Sequence, residues 1–317
     1  MLLAPPALYF HDLSFLSPIR GLTFHLVTID SPKGLGAGNK QFKIHLNLQL
    51  IKQQGYQSVV SFGGAYSNHI SALAEACQRY GFSCVGIIRG EEHYADNETL
   101  SKARQAGMTL KFVDRKTYRQ RNDPDYLQKL RQAYPEAYLL PEGGSNTLAV
   151  QGCELLAQQV NKLLPKTTVM SSACGTGGTV AGLIRGARQE QRVLGFSVLK
   201  DPELGQRVSQ YVAQGNHADY DLIAADFGGY AKVDIEHLQF IEAWYEETGV
   251  LLDPIYSSKM CRALLHRVKE FEFSERDVVS IIHTGGLQGW WGMKKRVKQL
   301  GKQTLWNETI EPYLRDA

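Results

Sequence analysis

Apolar residues along this chain fall into short runs that alternate with stretches of helical periodicity. Residues 57–62 read as a strand, followed by a glycine turn and a helix through Ala72, Ala76 and Tyr80 that stops at Gly81. Strands follow at residues 83–88 and 109–113, and a helix over about 126–134 leads to a strand at 137–140. The pattern restarts with a strand at 167–171, a second glycine turn and a helix over 180–188. Residues 193–198 and 277–282 are further strands. Between them Ile235, Leu238, Ile241 and Tyr245 place an apolar stripe on a helix over 235–247. Repeated strand–helix alternation predicts parallel βαβ units with helices on both faces. The expected fold class is therefore α/β, two doubly wound domains with mainly parallel sheets, divided near residue 150. A site between two such domains lies at the C-terminal ends of the strands, where the glycine turns fall.

Composition narrows the partners. A net charge of +3, dispersed along 317 residues, argues against nucleic acid, and the cluster Lys294-Lys295-Arg296 reads as a solvated helix face. No apolar run approaches the roughly 20 residues of a membrane span, and the first residues lack the pattern of a signal peptide. Five scattered cysteines without CxxC spacing argue against a disulfide framework and a zinc site, so no metal is expected and a cytoplasmic location is expected. Cys77 and Cys84 read as small buried hydrophobes; Cys174 stands apart because it borders a glycine turn.

Three segments carry candidate chemistry. Lys40 follows Gly38-Asn39 at the start of a helical run through Phe42, Ile44, Leu48 and Ile51. The partial positive charge there disfavours an ammonium and favours a nucleophilic amine. Lys43, one turn along on the same face, is its rival. The turn Gly63-Gly64-Ala65-Tyr66-Ser67-Asn68-His69 opens the next helix, where N–H groups attract a carboxylate, although Ser67 and Asn68 also suit an ordinary N-cap. Cys174-Gly175-Thr176-Gly177-Gly178-Thr179 lies between strand and helix and can converge N–H groups and hydroxyls on one phosphate. It is neither a Walker loop nor the GxGxxG fingerprint. A lysine, a Ser-Asn-His turn and a single-phosphate turn together point to pyridoxal 5'-phosphate (PLP), held by an imine, and so to an enzyme.

Six ordered motifs between about residues 33 and 290 carry a resemblance. They are Gly38-Asn39-Lys40, the Gly-Gly-x-x-Ser-Asn-His turn, Pro141-Glu142-Gly143-Gly144-Ser145-Asn146, the Gly-Thr-Gly-Gly-Thr turn, Asp253-Pro254-Ile255-Tyr256 and His283-Thr284-Gly285-Gly286. The series resembles the 1-aminocyclopropane-1-carboxylate (ACC) deaminase / D-cysteine desulfhydrase family, within the tryptophan-synthase-β-like, fold type II PLP enzymes. The resemblance implies that Lys40, not Lys43, carries the cofactor. It implies that Asn68 binds the cofactor's 3'-oxygen and that Ser67, with Asn68 and His69, meets the substrate. Gly175, Thr176, Gly177, Gly178 and Thr179 would hold the phosphate, Tyr230 and Tyr256 would be the two active-site tyrosines, and Thr284 would lie near the pyridine nitrogen. A large PLP-binding domain of residues 1–42 and 151–317, a small domain of residues 43–150 and a homodimer are expected. The chain departs from the family pattern at Leu26–Asp30, at Gln41-Phe42, and at Tyr66, which puts a bulky aromatic before Ser67.

The family's two activities differ beside the pyridine ring. The deaminases resemble one another in a glutamate after the Asp-Pro-x-Tyr tyrosine and a leucine after the later histidine; Ser257 and Thr284 stand there in this chain. Hydroxyls favour ring protonation less than a carboxylate does, and a thiolate is a good leaving group. Elimination from D-cysteine to pyruvate, hydrogen sulfide and ammonia is thus the expected reaction, with Lys40 as base. The alternatives are an ACC deaminase, another small-amino-acid lyase, a PLP-binding protein without turnover, and a nucleotide-binding protein.

Overall fold

The computed structural model describes residues 5–33, 37–213, 217–229, 231–271 and 273–315. Strands β1 (Leu8–Asp12) and β2 (Thr23–Ile29) open the chain. They are followed by β3 (Ser58–Gly64), β4 (Ser83–Arg89), β5 (Met108–Val113) and β6 (Ala137–Leu139), then β7 (Val169–Cys174), β8 (Arg192–Ser197), β9 (Asp219–Ala224) and β10 (Val278–Ile282). They form a six-stranded sheet ordered β1-β2-β10-β7-β8-β9 and a four-stranded sheet ordered β5-β4-β3-β6. All neighbours run parallel except β1, which pairs antiparallel with β2, Leu8 opposite Ile29. The pattern of the sequence does not reveal β1 or β9. Both lie at the edges of their sheet, where one row of backbone groups is unpaired and polar residues such as Asp219 and Asp221 are tolerated.

Helices cover both faces, so central strands are apolar at successive positions. Val59 packs with Ile70 and Leu73 on one face of the small sheet, and its neighbour Val60 packs with Phe62 and Tyr118 on the other. In the large sheet, Leu26 joins Phe24 and Phe196, while Val27 faces Met170 and Val180.

Each sheet reverses its winding order once, and these two places make the cleft. In the large sheet the chain leaves β7 toward β8 and β9 and returns on the other side as β10. In the small sheet β3 has β4 on one side and β6 on the other. The loops beyond those four strand ends are the turn 174–179, the segment 283–286, the turn 64–67 and the segment 141–145. These are the places where doubly wound sheets open a crevice.

Helix Thr147–Leu163 lies between helices Asn39–Gln53 and Gly178–Gly186. A Cβ on Gly152 would sit 2.0 Å from the Phe42 carbonyl oxygen, and one on Gly182 would sit 2.3 Å from Cys153 Cβ. The backbones touch, which locks the helix bearing Lys40 against the helix that follows the glycine turn 174–179.

Candidate active site

Gly38 has φ 60°, and a Cβ there would lie 2.0 Å from the Thr284 carbonyl oxygen, which accepts the Asn39 N–H (3.1 Å). This contact starts helix Asn39–Gln53 against the end of β10 and sets Lys40 in its first turn, lining a cleft of about 1600 Å³. Burial lowers the Lys40 pKa to about 7, with the charge of Lys43 adding to the effect. The sequence pattern pointed to the helix terminus as the cause; desolvation is the larger one.

The glycine turn is braced from three sides. Gly177 is left-handed (φ 89°) and the helix Gly178–Gly186 begins without a side-chain cap, so its first N–H groups keep no side-chain acceptor. Asn39 Nδ2 donates to Thr179 Oγ1 (2.7 Å), and Thr176 Oγ1 lies 3.2 Å from Ser145 Oγ. Lys43 is buried, with Nζ 3.4 Å from Ser145 Oγ and 3.3 Å from the place of a Cβ on Gly178. Burial lowers its pKa. An anion in the turn restores the charge that burial penalises. Cys174 is buried like the other four cysteines, all free, and burial pushes its thiol up to about 12. The sequence had set it apart; it is an inert thiol.

At the other end, Ser67 is the N-cap of helix Asn68–Tyr80, its Oγ accepting the Ile70 N–H (3.3 Å). The ordinary capping role is therefore present, and the hydroxyl still lines the cleft. Asn68 reaches across to the large sheet, where its Nδ2 would be 2.2 Å from a Cβ on Gly286. His69 is buried with Nε2 2.7 Å from Ser61 Oγ and Nδ1 unpartnered. Its pKa falls to about 3 through burial and the two lysine charges, so the ring is neutral. Tyr256 leans over the glycine turn 174–179, its Cε1 3.3 Å from the place of a Cβ on Gly175. Tyr230 lies outside the described residues.

Ser257 and Thr284 meet as the alignment of motifs implied. Their hydroxyl oxygens are 3.4 Å apart, both residues are buried, and the Thr284 N–H donates to Ser257 Oγ (3.3 Å). The nearby Asp253 accepts the N–H groups of Ile255, Tyr256 and Ser257, which occupies both of its oxygens in the turn that leads into the helix Ser257–His266.

The structure thus gathers the described candidates, Lys40, Ser67, Asn68, His69, residues 175–177 with Thr179, Tyr256 and Thr284, around one cleft. Sequence reasoning gave no role of their own to Asn39 or Ser145 and weighed Lys43 only as the rival to Lys40. For Lys43 the signal was available: a lysine beside Phe42 and Ile44 in an apolar helix needs a buried partner. Glu142 also lines the cleft, accepting from the Tyr118 hydroxyl (2.6 Å) and pairing with Arg121. Among the described residues no cluster of His, Cys, Asp or Glu could hold a metal, and no helix is long and apolar enough to cross a membrane.

The residues fit PLP. They offer a reactive amine, a left-handed glycine cradle whose helix starts without a side-chain cap, and a buried lysine that pairs with no carboxylate among the described residues. Comparison with known proteins agrees. Residues 34–285 match the family model described as pyridoxal-phosphate dependent enzyme. The chain is 29% identical over 278 residues to the bifunctional D-cysteine desulfhydrase/1-aminocyclopropane-1-carboxylate deaminase, mitochondrial, of Arabidopsis thaliana, covering 80% of this chain and 69% of that one. It is 27% identical to the D-cysteine desulfhydrase of Serratia proteamaculans, covering 86% and 89%. The crystal structure of an ACC deaminase homologue superposes with a TM-score of 0.77 at 22% identity, covering 94% of each chain. This chain belongs to the pyridoxal-phosphate dependent enzyme family. It is a fold type II enzyme of the lyase class with PLP as its cofactor.

Proposed function

We propose that this enzyme eliminates thiol from D-cysteine, or a related β-substituted D-amino acid, yielding hydrogen sulfide, pyruvate and ammonia with the uptake of one water. The observation that carries the choice is the buried Ser257–Thr284 hydroxyl pair, where a deaminase is expected to have glutamate and leucine. No carboxylate accepts from either hydroxyl among the described residues. A ring without a fixed negative charge at its nitrogen is a weaker electron sink, which suffices for a thiolate leaving group and not for opening a cyclopropane.

When bound, PLP supplies an aldehyde that joins the substrate amine and a ring that accepts electrons from the α-carbon. Residues 175–179 would hold its phosphate, with Lys43 and the braces Asn39 and Ser145, and Asn68 would support its ring oxygen as the family resemblance implies. Ser67 and the N–H groups behind it hold the substrate carboxylate at a helix N-terminus. Lys40, its pKa lowered to about 7 so that a substantial fraction is neutral at that pH, takes the α-proton. The Cα–H and Cβ–S bonds break, and sulfur leaves as thiolate, with Tyr256 and Tyr230 orienting the substrate. Residues 1–42 with 151–317 form the large unit and 43–150 the small one in this reading, supported by the division of strands between the sheets. A cytoplasmic homodimer is the proposed setting: five free, buried thiols fit a reducing compartment, and the dimer rests on the family resemblance.

The test is release of sulfide and pyruvate from D-cysteine, with L-cysteine and ACC in parallel. Faster 2-oxobutyrate formation from ACC overturns the proposal. The double variant Ser257→Glu, Thr284→Leu should shift preference toward ACC.

A further inference from the structure

Helix Ser257–His266 begins at the hydroxyl pair and, two residues on, carries a lysine that none of this chemistry uses. Lys259 is wholly buried (0% exposed), and its Nζ donates to the carbonyl oxygens of Asp226 (2.6 Å) and Gly229 (2.7 Å). No carboxylate pairs with it among the described residues; Asp226, Asp234 and Asp253 act on it only at longer range. The turn it grips is one the backbone resists: Phe227, Gly228, Gly229 and Ala231 have φ of 44°, 92°, 127° and 54°. One turn along the same helix, Arg262 lies over the Phe227 ring (4.7 Å) and pairs with Glu236 (3.0 Å). Gly229 and Ala231 line the cleft, so this turn is one of its walls.

A compact cation held only by backbone carbonyl oxygens is in the environment that a bound potassium or ammonium ion occupies in other proteins. We propose that Lys259 is a built-in monovalent cation, a positioning residue whose ammonium holds the turn 226–229 in its strained form and thereby sets one wall of the substrate cleft. The inference rests on the reading that this cleft is the active site. Because the charge is tethered to helix Ser257–His266, the wall is set without salt, and the same helix ties it to the Ser257–Thr284 end. Two charge-assisted hydrogen bonds offset the backbone strain and the desolvation of the ammonium.

Three measurements test it. The native holoenzyme should turn over equally well in Tris, sodium, potassium and ammonium chloride; dependence on potassium or ammonium would show an ion site that Lys259 does not fill, and overturns the proposal. Lys259→Ala, assayed in Tris chloride, should lose about tenfold or more in kcat/KM. Much of that loss should return with ammonium or potassium chloride, and none with tetramethylammonium, which is too large for the vacated space. Lys259→Met, which keeps the stem and fills the space, should show the same loss without rescue, so native turnover in that variant also overturns the proposal, as does an Ala variant that no small cation rescues. Hydrogen exchange at the amides of Phe227, Gly228 and Gly229 gives a readout independent of substrate. Exchange should be slow in the native protein, fast in Lys259→Ala and slow again with ammonium. If exchange follows this course while no amino acid is turned over, the elimination reading fails and the role of Lys259 stands. If turnover is present and exchange is indifferent to residue 259, the reverse holds.

Discussion

The two ends of the cleft are built on different plans. At the end built on residues 174–179, which we assign to the phosphate, the polar groups are braced: Asn39 holds Thr179, Ser145 reaches both Thr176 and Lys43, and three helices in backbone contact fix the frame. At the substrate end the groups sit on turns. Ser67 divides its hydroxyl between capping and the cleft, Tyr66 is 42% exposed, and the wall 226–229 is held from a neighbouring helix by Lys259 and by Arg262 over Phe227. The cofactor is common to many reactions and its anchor belongs to the scaffold. The substrate is particular, and its contacts lie where the chain tolerates change.

If the ends are separable, a change at their junction should destroy chemistry while leaving the anchor. Lys40→Ala is that change. Turnover should fall by about 10³-fold or more, since base and covalent anchor vanish together. PLP should remain bound through the phosphate end, detected by equilibrium dialysis. In the native protein, borohydride should attach the cofactor to the peptide containing Lys40. A label on Lys43 would break the assignment.

Lys43→Met attacks the anchor. Removing a buried charged donor to a phosphate should weaken PLP binding by about 10- to 100-fold, corresponding to roughly 1.5–3 kcal/mol. It should also move a pH profile. Capture of the cofactor needs the neutral Lys40 amine, whose pKa lies at about 7, so uptake by the apo-protein should rise with pH through 7 and slow below it. The positive charge of Lys43 is one cause of that lowered value. Its removal should raise the Lys40 pKa and displace the uptake profile to higher pH. An unchanged midpoint would show that burial alone sets Lys40.

The same contrast explains what the sequence revealed. Strands β3, β4, β7 and β10 were legible because they are largely buried on both faces and read as continuous apolar runs, and β5 was legible at an edge through its short apolar run, whereas the edge strands β1 and β9 mix polar residues and were not. Both glycine turns could be located because only particular residue types make such turns. The order of motifs then assigned Lys40, Asn68 and Thr284 to one site, and the folded chain brings them to one cleft. What stayed hidden were partners far apart in sequence. Asn39 and Thr179 are 140 residues apart, Lys43 and Ser145 102, and Lys259 and Asp226 33. Lys43 at least stands between apolar neighbours, whereas Lys259 is indistinguishable from a surface lysine until its carbonyl partners are known.

The smallest expected effect concerns Tyr66, the aromatic that departs from the family pattern. Its ring lies against helix Gly289–Gln299, 3.3 Å from where a Cβ on Gly292 would be, so the turn after β3 touches a helix beside the large sheet across the cleft mouth. The contact is partial and solvent-exposed, and Tyr66→Ala should cost about 1 kcal/mol, seen as a roughly fivefold rise in KM with kcat nearly unchanged. PLP affinity should not change, because nothing at the phosphate end touches this ring; a weakened cofactor would break the separation of the two ends. Tyr66→Phe keeps the ring and removes only the hydroxyl. If ring packing on Gly292 shapes the mouth, the Phe variant should behave as native and Gly292→Ala, which presses a methyl on the ring, should raise KM. A Phe variant as impaired as the Ala variant would instead mean that the hydroxyl meets the substrate, and Tyr66 would then be a specificity residue rather than a clasp.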